Sequence, residues 1–153
     1  MLISISVPKD RRQYGTLSCG ELSCRCYCKA DNGAAIAAGN PTRDPRRKDG
    51  DTPTGTYAAT LGQVELPERS YGPYRVIHLN PTVGDGVLRA QDEHLQPDDL
   101  GLLMHSGPLA KDGKSLRPTH GCIRLDDVNQ KALVSLMEQT EEAVLLDVSE
   151  IQP

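Results

Sequence analysis

The chain opens with "LISISV" (2–7), and short Ile-, Val- or Leu-rich runs recur to its end, each cut off by Pro, Gly, Asp or Asn. Runs of this length suit strands and are too brief for most helices, so the pattern predicts a mainly β fold. "GTLSCGELSCRCYCKA" (15–30) reads as a hairpin turning near Gly20 and Glu21. "AAIAAG" (34–39) fits a short buried strand, although its alanines also suit a helix. "TGTYAATLGQV" (54–64), "YRVIHLN" (74–80) and "EAVLLDV" (142–148) read as further strands, and "LGLLMH" (100–105) is an apolar run delivering His105 at its end. Between them, 40–53, 81–99 and 106–119 are dense in Pro, Gly and charge and read as surface loops. One stretch stands apart. "LDDVNQKALVSLMEQT" (125–140) offers Asp126 or Asp127 as an N-cap and Val128, Leu133, Leu136 and Met137 as an apolar stripe, so it predicts a helix.

With neither Phe nor Trp, the core must be built from Leu, Ile, Val and Ala, helped by five tyrosines. The 153 residues show no linker and no repeat, so one domain over 1–153 is expected. A formal charge of −4 argues against a nucleic-acid binder or a strong membrane-surface binder. No apolar run approaches the roughly 18 residues of a transmembrane helix. "MLISISVPKDRR" lacks the basic and apolar regions of a signal peptide. The expectation is a chain that is cytoplasmic when made, that has lost a leader, or that leaves by a leaderless route.

Five cysteines is an odd number, and four of them crowd into residues 19–28. The fifth, Cys122, stands alone in "PTHGCIRL" (118–125), which points to two separate roles and an unpaired thiol. A nucleophilic thiol needs its thiolate favoured by a nearby His, a helix N-terminus or backbone N–H groups. The sequence offers His105 at a strand end, the capped helix just after Cys122, and Gly121, which lets the backbone run close to a substrate. Cys122 could instead be a small core residue; the flanking His-Gly and Arg and the upstream His-Ser-Gly weigh against that.

"HSG" (105–107) followed by "THGCIRL" (119–125) resembles the signature of the L,D-transpeptidase catalytic domain, the YkuD-like family. "GDTPTGTY" (50–57) is similar to the TPTG segment that precedes a core strand in that family. The resemblance covers roughly residues 34–148. It implies a single-domain β-sandwich with a helix after the catalytic cysteine, and a cysteine acyl-transferase that needs no metal or other cofactor. By the same resemblance Cys122 is the nucleophile and His105 its general base, with the main-chain carbonyl of Ser106 orienting the His105 ring. His120 and Thr119 would line the site, and Gly121 and Cys122 would supply oxyanion-hole N–H groups. Arg124 would hold the active-site loop or meet a substrate carboxylate.

The substrate so implied is a peptidoglycan stem peptide, with a tetrapeptide as donor and an amine or water as acceptor. The outcome is then transpeptidation or carboxypeptidation, in the periplasm or cell wall. A substrate outside the cytoplasm and a chain without a recognisable leader together suggest a secreted antibacterial effector, with a secretion apparatus or an immunity protein as partners. No nucleic acid or membrane partner is expected.

The remaining candidates read more simply. His78 fits a strand face, His94 a solvated loop, and Tyr57 and Tyr74 the core. Arg43, Arg46, Arg47 and Lys48 form a basic run that reads as a solvated loop or as a contact for an anionic glycan or stem peptide. In a strand, Cys24, Cys26 and Cys28 would share one face, with Cys19 across the hairpin. Free core thiols, one or two disulfides and a small metal site all remain open, although C-x-C-x-C fits zinc knuckles poorly. The rival to the enzyme is accordingly a non-catalytic metal- or redox-responsive module built on Cys19–Cys28.

Overall fold

The computed structural model describes residues 1–151. Its strands are β1 (Leu2–Val7), β2 (Gly15–Cys19), β3 (Leu22–Cys26), β4 (Gly55–Val64), β5 (Arg75–Gly84), β6 (Leu103–His105), β7 (Ile123–Arg124) and β8 (Val144–Glu150). Its helices are α1 (Asn32–Ala37), α2 (Glu68–Tyr71), α3 (Asp85–Ala90) and α4 (Asp127–Glu138). The strands form one eight-stranded sheet in the order β3-β2-β1-β8-β4-β5-β6-β7. The two ends of that sheet meet. Just after β3, the N–H of Tyr27 donates to the Arg124 carbonyl at 2.9 Å, and that of Arg124 to the Tyr27 carbonyl at 3.0 Å. The mainly β fold is as the sequence predicts, and the implied sandwich is one continuous sheet closed at a seam.

The β2–β3 hairpin turns at Gly20 and Glu21, with Cys19 opposite Leu22. Gly20 has φ of +58°, a conformation that glycine adopts without a Cβ clash. The closing strand β8 lies parallel to β1, with Leu2 opposite Leu145 and Val7 opposite Glu150, which ties the two chain ends together. Alternation then sends Ile3, Ile5 and Val7 inward beside Leu146 and Val148. Leu133, Val134 and Met137 of α4 close over this layer with Leu17, Tyr57, Ile77 and Met104. Each fully buried aliphatic side chain here stabilises the fold by about 1.5–3 kcal/mol. Of the predicted α4 stripe, Val128 is exposed and Leu136 only partly buried, while Val134 takes their place in the core.

Two expectations are corrected. Residues 34–39 are not a strand: the Asp31 carboxylate accepts the Ala34 N–H at 2.9 Å and caps α1, which buries only Ala35. The surface excursion expected at 81–99 begins as strand and helix. β5 continues to Gly84 by placing Pro81 opposite Tyr57, where a register shift interrupts the ladder and spares it the missing N–H. α3 then follows, and its Arg89 is buried.

Parallel strands cannot be joined by a tight turn, so β6 and β7 need a crossover. Residues 106–122 supply it. The register pairs Met104 with Ile123 and His105 with Arg124. Cys122 directly precedes β7, and its thiol makes a hydrogen bond with the backbone of Leu103, the first residue of β6.

Candidate active site

His105 is buried at the end of β6, and its Nδ1 lies 2.8 Å from the main-chain carbonyl oxygen of Ser106. A carbonyl only accepts, so Nδ1 carries the proton and Nε2 presents a lone pair. Burial, reinforced by the positive charge of Arg124 and opposed by the Ser106 carbonyl, lowers the imidazole pKa to about 4. His105 is therefore neutral near pH 7. The edge of Tyr71, from α2, packs against its ring at 5.1 Å between centroids.

Cys122 is half-buried at the end of the crossover. Burial raises its thiol pKa, against a backbone hydrogen bond with Leu103 and the charges of Arg89 and Arg124, which pull it down; Asp49 pushes the same way as burial. At rest the pair is thiol and imidazole rather than an ion pair. The imidazole is consequently free to take the thiol proton at the moment of attack.

The Ser106 carbonyl has a second partner, Arg124 Nη1 at 2.7 Å. Arg124 is buried, and its guanidinium also donates to the carbonyls of Arg117 at 2.8 Å and Ser70 at 3.3 Å. Burial, with Arg117 nearby, lowers its pKa to about 10. Of the two roles expected for Arg124, the contacts match loop-holding: its fork is occupied by three main-chain carbonyls, two from the crossover and one from α2. The Ser106 hydroxyl is buried without a hydrogen-bond partner among the described residues.

The other expected residues sit in the same turn with altered parts. The Thr119 hydroxyl donates to the Cys122 carbonyl at 2.8 Å and accepts the Gly121 N–H at 3.1 Å. That occupies the Gly121 N–H, which was expected to face an oxyanion. Thr119 is buried and braces the turn, and it also lines the groove onto which Cys122 opens. The N–H of Cys122 is the remaining donor of the expected pair. Gly121 has φ of +112°, and a Cβ there would lie 2.5 Å from Arg89 Nη2 and 2.7 Å from the Gly50 carbonyl oxygen. Only glycine fits. The His120 side chain is exposed, with Nδ1 3.6 Å from an Asp49 carboxylate oxygen.

Three residues of the site were not found in the sequence. Tyr71 is one. Thr52, in the TPTG segment, donates its hydroxyl to the Gly121 carbonyl at 2.8 Å. Arg89 of α3 donates to the His120 carbonyl at 2.7 Å and to those of Pro45 and Gly50 at 3.2 Å. The TPTG match was the available signal for Thr52; nothing in "GVLRA" marks Arg89.

His105 and Cys122 open together onto a groove of about 760 Å³. Its walls include Tyr71, Asn80, Arg89, Arg117 and the segment from Leu95 to Leu103. The basic run contributes Lys48 to the groove, while Arg43 and Arg46 pair with Asp51 and Asp44 and Arg47 donates to the Gly39 carbonyl. His94 is exposed, His78 is half-buried on β5, and Tyr57 is core. Tyr74, expected in the core, is only half-buried, with Lys131 Nζ 6.0 Å from its ring centre.

The clustered cysteines pack into the core. Cys19, Cys26 and Cys28 are buried, Cys24 is half-buried, and all four are free thiols. A hydrogen bond with Cys28, then burial, raises the Cys26 pKa. Among the described residues, no three His, Cys, Asp or Glu side chains converge so as to hold a metal ion.

The family model of the L,D-transpeptidase catalytic domain (YkuD) matches residues 24–145. No curated protein matches the chain. Among solved structures, a mutant of the helical cell shape determining protein Pgp2 from Campylobacter jejuni is similar at 18% identity, with a TM-score of 0.52 over 99% of this chain and 48% of that one. Pgp2 itself, at 17% identity and a TM-score of 0.46, covers 99% and 48%. Bd1075 from Bdellovibrio bacteriovorus, at 15% and 0.46, covers 97% and 47%. This chain spans about half the length of each, and the likeness at 0.52 is one of fold.

Proposed function

The chain belongs to the L,D-transpeptidase catalytic-domain family, and from that premise we propose that it transfers acyl groups of peptidoglycan stem peptides through a thioester on Cys122. The observation that carries this reading is a buried, neutral His105 with a free Nε2, lining the same groove as the Cys122 thiol. In the first step Nε2 takes the Sγ proton as sulfur bonds to the carbonyl carbon of the diamino acid at position three of the stem. The oxyanion that develops faces the N–H of Cys122. Collapse breaks the C–N bond, the terminal D-residue leaves as an amine with the proton from His105, and a thioester remains. An incoming amine or water then attacks with His105 again as base, which gives a cross-link or a trimmed stem and the free thiol.

Incubation with purified muropeptides under reducing conditions, with products weighed by mass spectrometry, tests the reading. Cross-linked or shortened stems are expected, and their ratio separates the two outcomes. An untouched tetrapeptide would sink the proposal. The substrate places the action in the periplasm or cell wall. A role as an antibacterial effector, opposed by an immunity protein, follows if the chain harms cells only when directed to that compartment. Equal growth with and without an added export signal would argue against it.

A further inference from the structure

We propose that Arg89 is a positioning residue whose charge sets the reactivity of Cys122, the nucleophile on which the acyl-transfer reading rests. Its guanidinium lies behind the reactive turn, 2.7 Å from the His120 carbonyl and close enough to Gly121 to forbid a Cβ there. It also lines the groove into which Cys122 opens.

Arg89 is buried, yet its hydrogen bonds go to the carbonyls of Pro45, Gly50, Asp51 and His120. Among the described residues it has no carboxylate within ion-pair distance. A buried cation is costly unless an anion repays its lost hydration. Carbonyl dipoles repay part of that cost. The remainder is relieved whenever negative charge appears nearby, and Cys122 is where the reaction generates it, first as thiolate and then as tetrahedral oxyanion. An isolated guanidinium in a low-dielectric wall therefore favours the charged states over the resting thiol.

The other charged and titratable groups around the thiol divide by element. Arg124 on β7 acts in the same direction but is committed to the Ser106 carbonyl. Asp49, from the 40–53 loop, opposes it. Tyr71 on α2 stays protonated, its own pKa raised by burial and then by Cys122, and His105 on β6 is neutral. His120 stands two residues before Cys122 in the turn but extends its ring to Asp49. Arg89 is thus the cation that α3 contributes. Its role explains why a helix unmarked by the motif packs against the turn.

The test is the pH profile of Cys122 alkylation by iodoacetamide, followed by peptide mass spectrometry so that each cysteine is read separately. Arg89→Gln can still donate to the carbonyls but carries no charge. It should move the Cys122 midpoint upward and slow its modification at pH 7 by about tenfold, since one pKa unit is tenfold in thiolate. Arg89→Lys, which keeps the charge without the fork, should keep the wild-type midpoint. A midpoint in Arg89→Gln matching wild type overturns the proposal. If that variant does not fold, a folded Arg89→Lys whose midpoint has moved by a unit or more also overturns it, because the fork and not the charge would then matter. None of these readings needs a substrate, so failure of the muropeptide assay leaves this result to stand or fall by itself.

Discussion

A single histidine couples the proposed chemistry to the stability of the fold. His105 is held neutral, its pKa about 4 against an ordinary 6.5, chiefly because it is buried and secondly because Arg124 is near. The unfolded chain binds this proton first as pH falls, so the native state loses its advantage between about 6.5 and 4. The stabilisation is complete above that window and largely gone below it, with a change of up to about 3 kcal/mol from this residue. Urea denaturation at pH 7 and pH 4.5 should therefore show a larger acid loss for wild type than for His105→Asn, which has no imidazole to protonate. Identical losses would mean that the ring is more hydrated than its burial indicates. Cys122 belongs to the same scale and differs in kind. It is half-buried, so Cys122→Ala should abolish turnover while leaving the melting temperature within a few degrees of wild type. A collapse in melting would make the residue structural.

At the scale of elements, the site is a crossover between two short parallel strands, braced from outside. What the sequence makes legible here is local chemistry. His105, Ser106, Thr119, Gly121, Cys122 and Arg124 lie within one 20-residue stretch, and the β6–β7 register sets His105 directly beside Arg124. The braces come from far away in sequence and carry no local mark. Arg89 reads as one basic residue in an acidic excursion until α3 turns it beneath the Cys122 turn. The alanines at 34–39 satisfy strand and helix patterns alike, and Asp31 decides between them from outside that window. Thr52 is an intermediate case, present in a recognised segment but without an evident task until its hydroxyl meets the Gly121 carbonyl at 2.8 Å. Thr52→Val keeps the shape and removes this donor. A buried carbonyl left without its donor costs about 1–3 kcal/mol, and the freed turn should lower kcat more than it raises KM. Thermal melting beside muropeptide turnover checks both halves; unchanged kcat in a destabilised protein would make Thr52 a matter of stability alone.

Across the whole molecule, the seam where the sheet closes is also where the candidate site sits. Arg124 contributes its backbone to the Tyr27 bridge and its side chain to the Ser106 carbonyl, so closure and the candidate site share a residue. The cysteine-rich strand runs into this seam: the Cys28 carbonyl accepts the N–H of Thr52, one residue contact from the reactive turn. Yet the thiols of Cys19, Cys26 and Cys28 face the core, with 3%, 0% and 1% of their residue surface exposed. They stand where larger apolar residues would otherwise be needed in a chain with no Phe or Trp. Burial protects them kinetically, since a thiol must reach solvent and ionise before it reacts. Only Cys122 combines groove access with a histidine base lining the same groove. A carbapenem, whose strained ring a nucleophilic thiol of this family is expected to open, should therefore add once per folded chain, and peptide mapping should place the adduct on Cys122. Modification should vanish in Cys122→Ala. An adduct on Cys24, the half-buried member of the cluster, or none at all, would shift the reactive centre of the molecule away from the seam and favour the redox- or metal-responsive reading of the N-terminal strands.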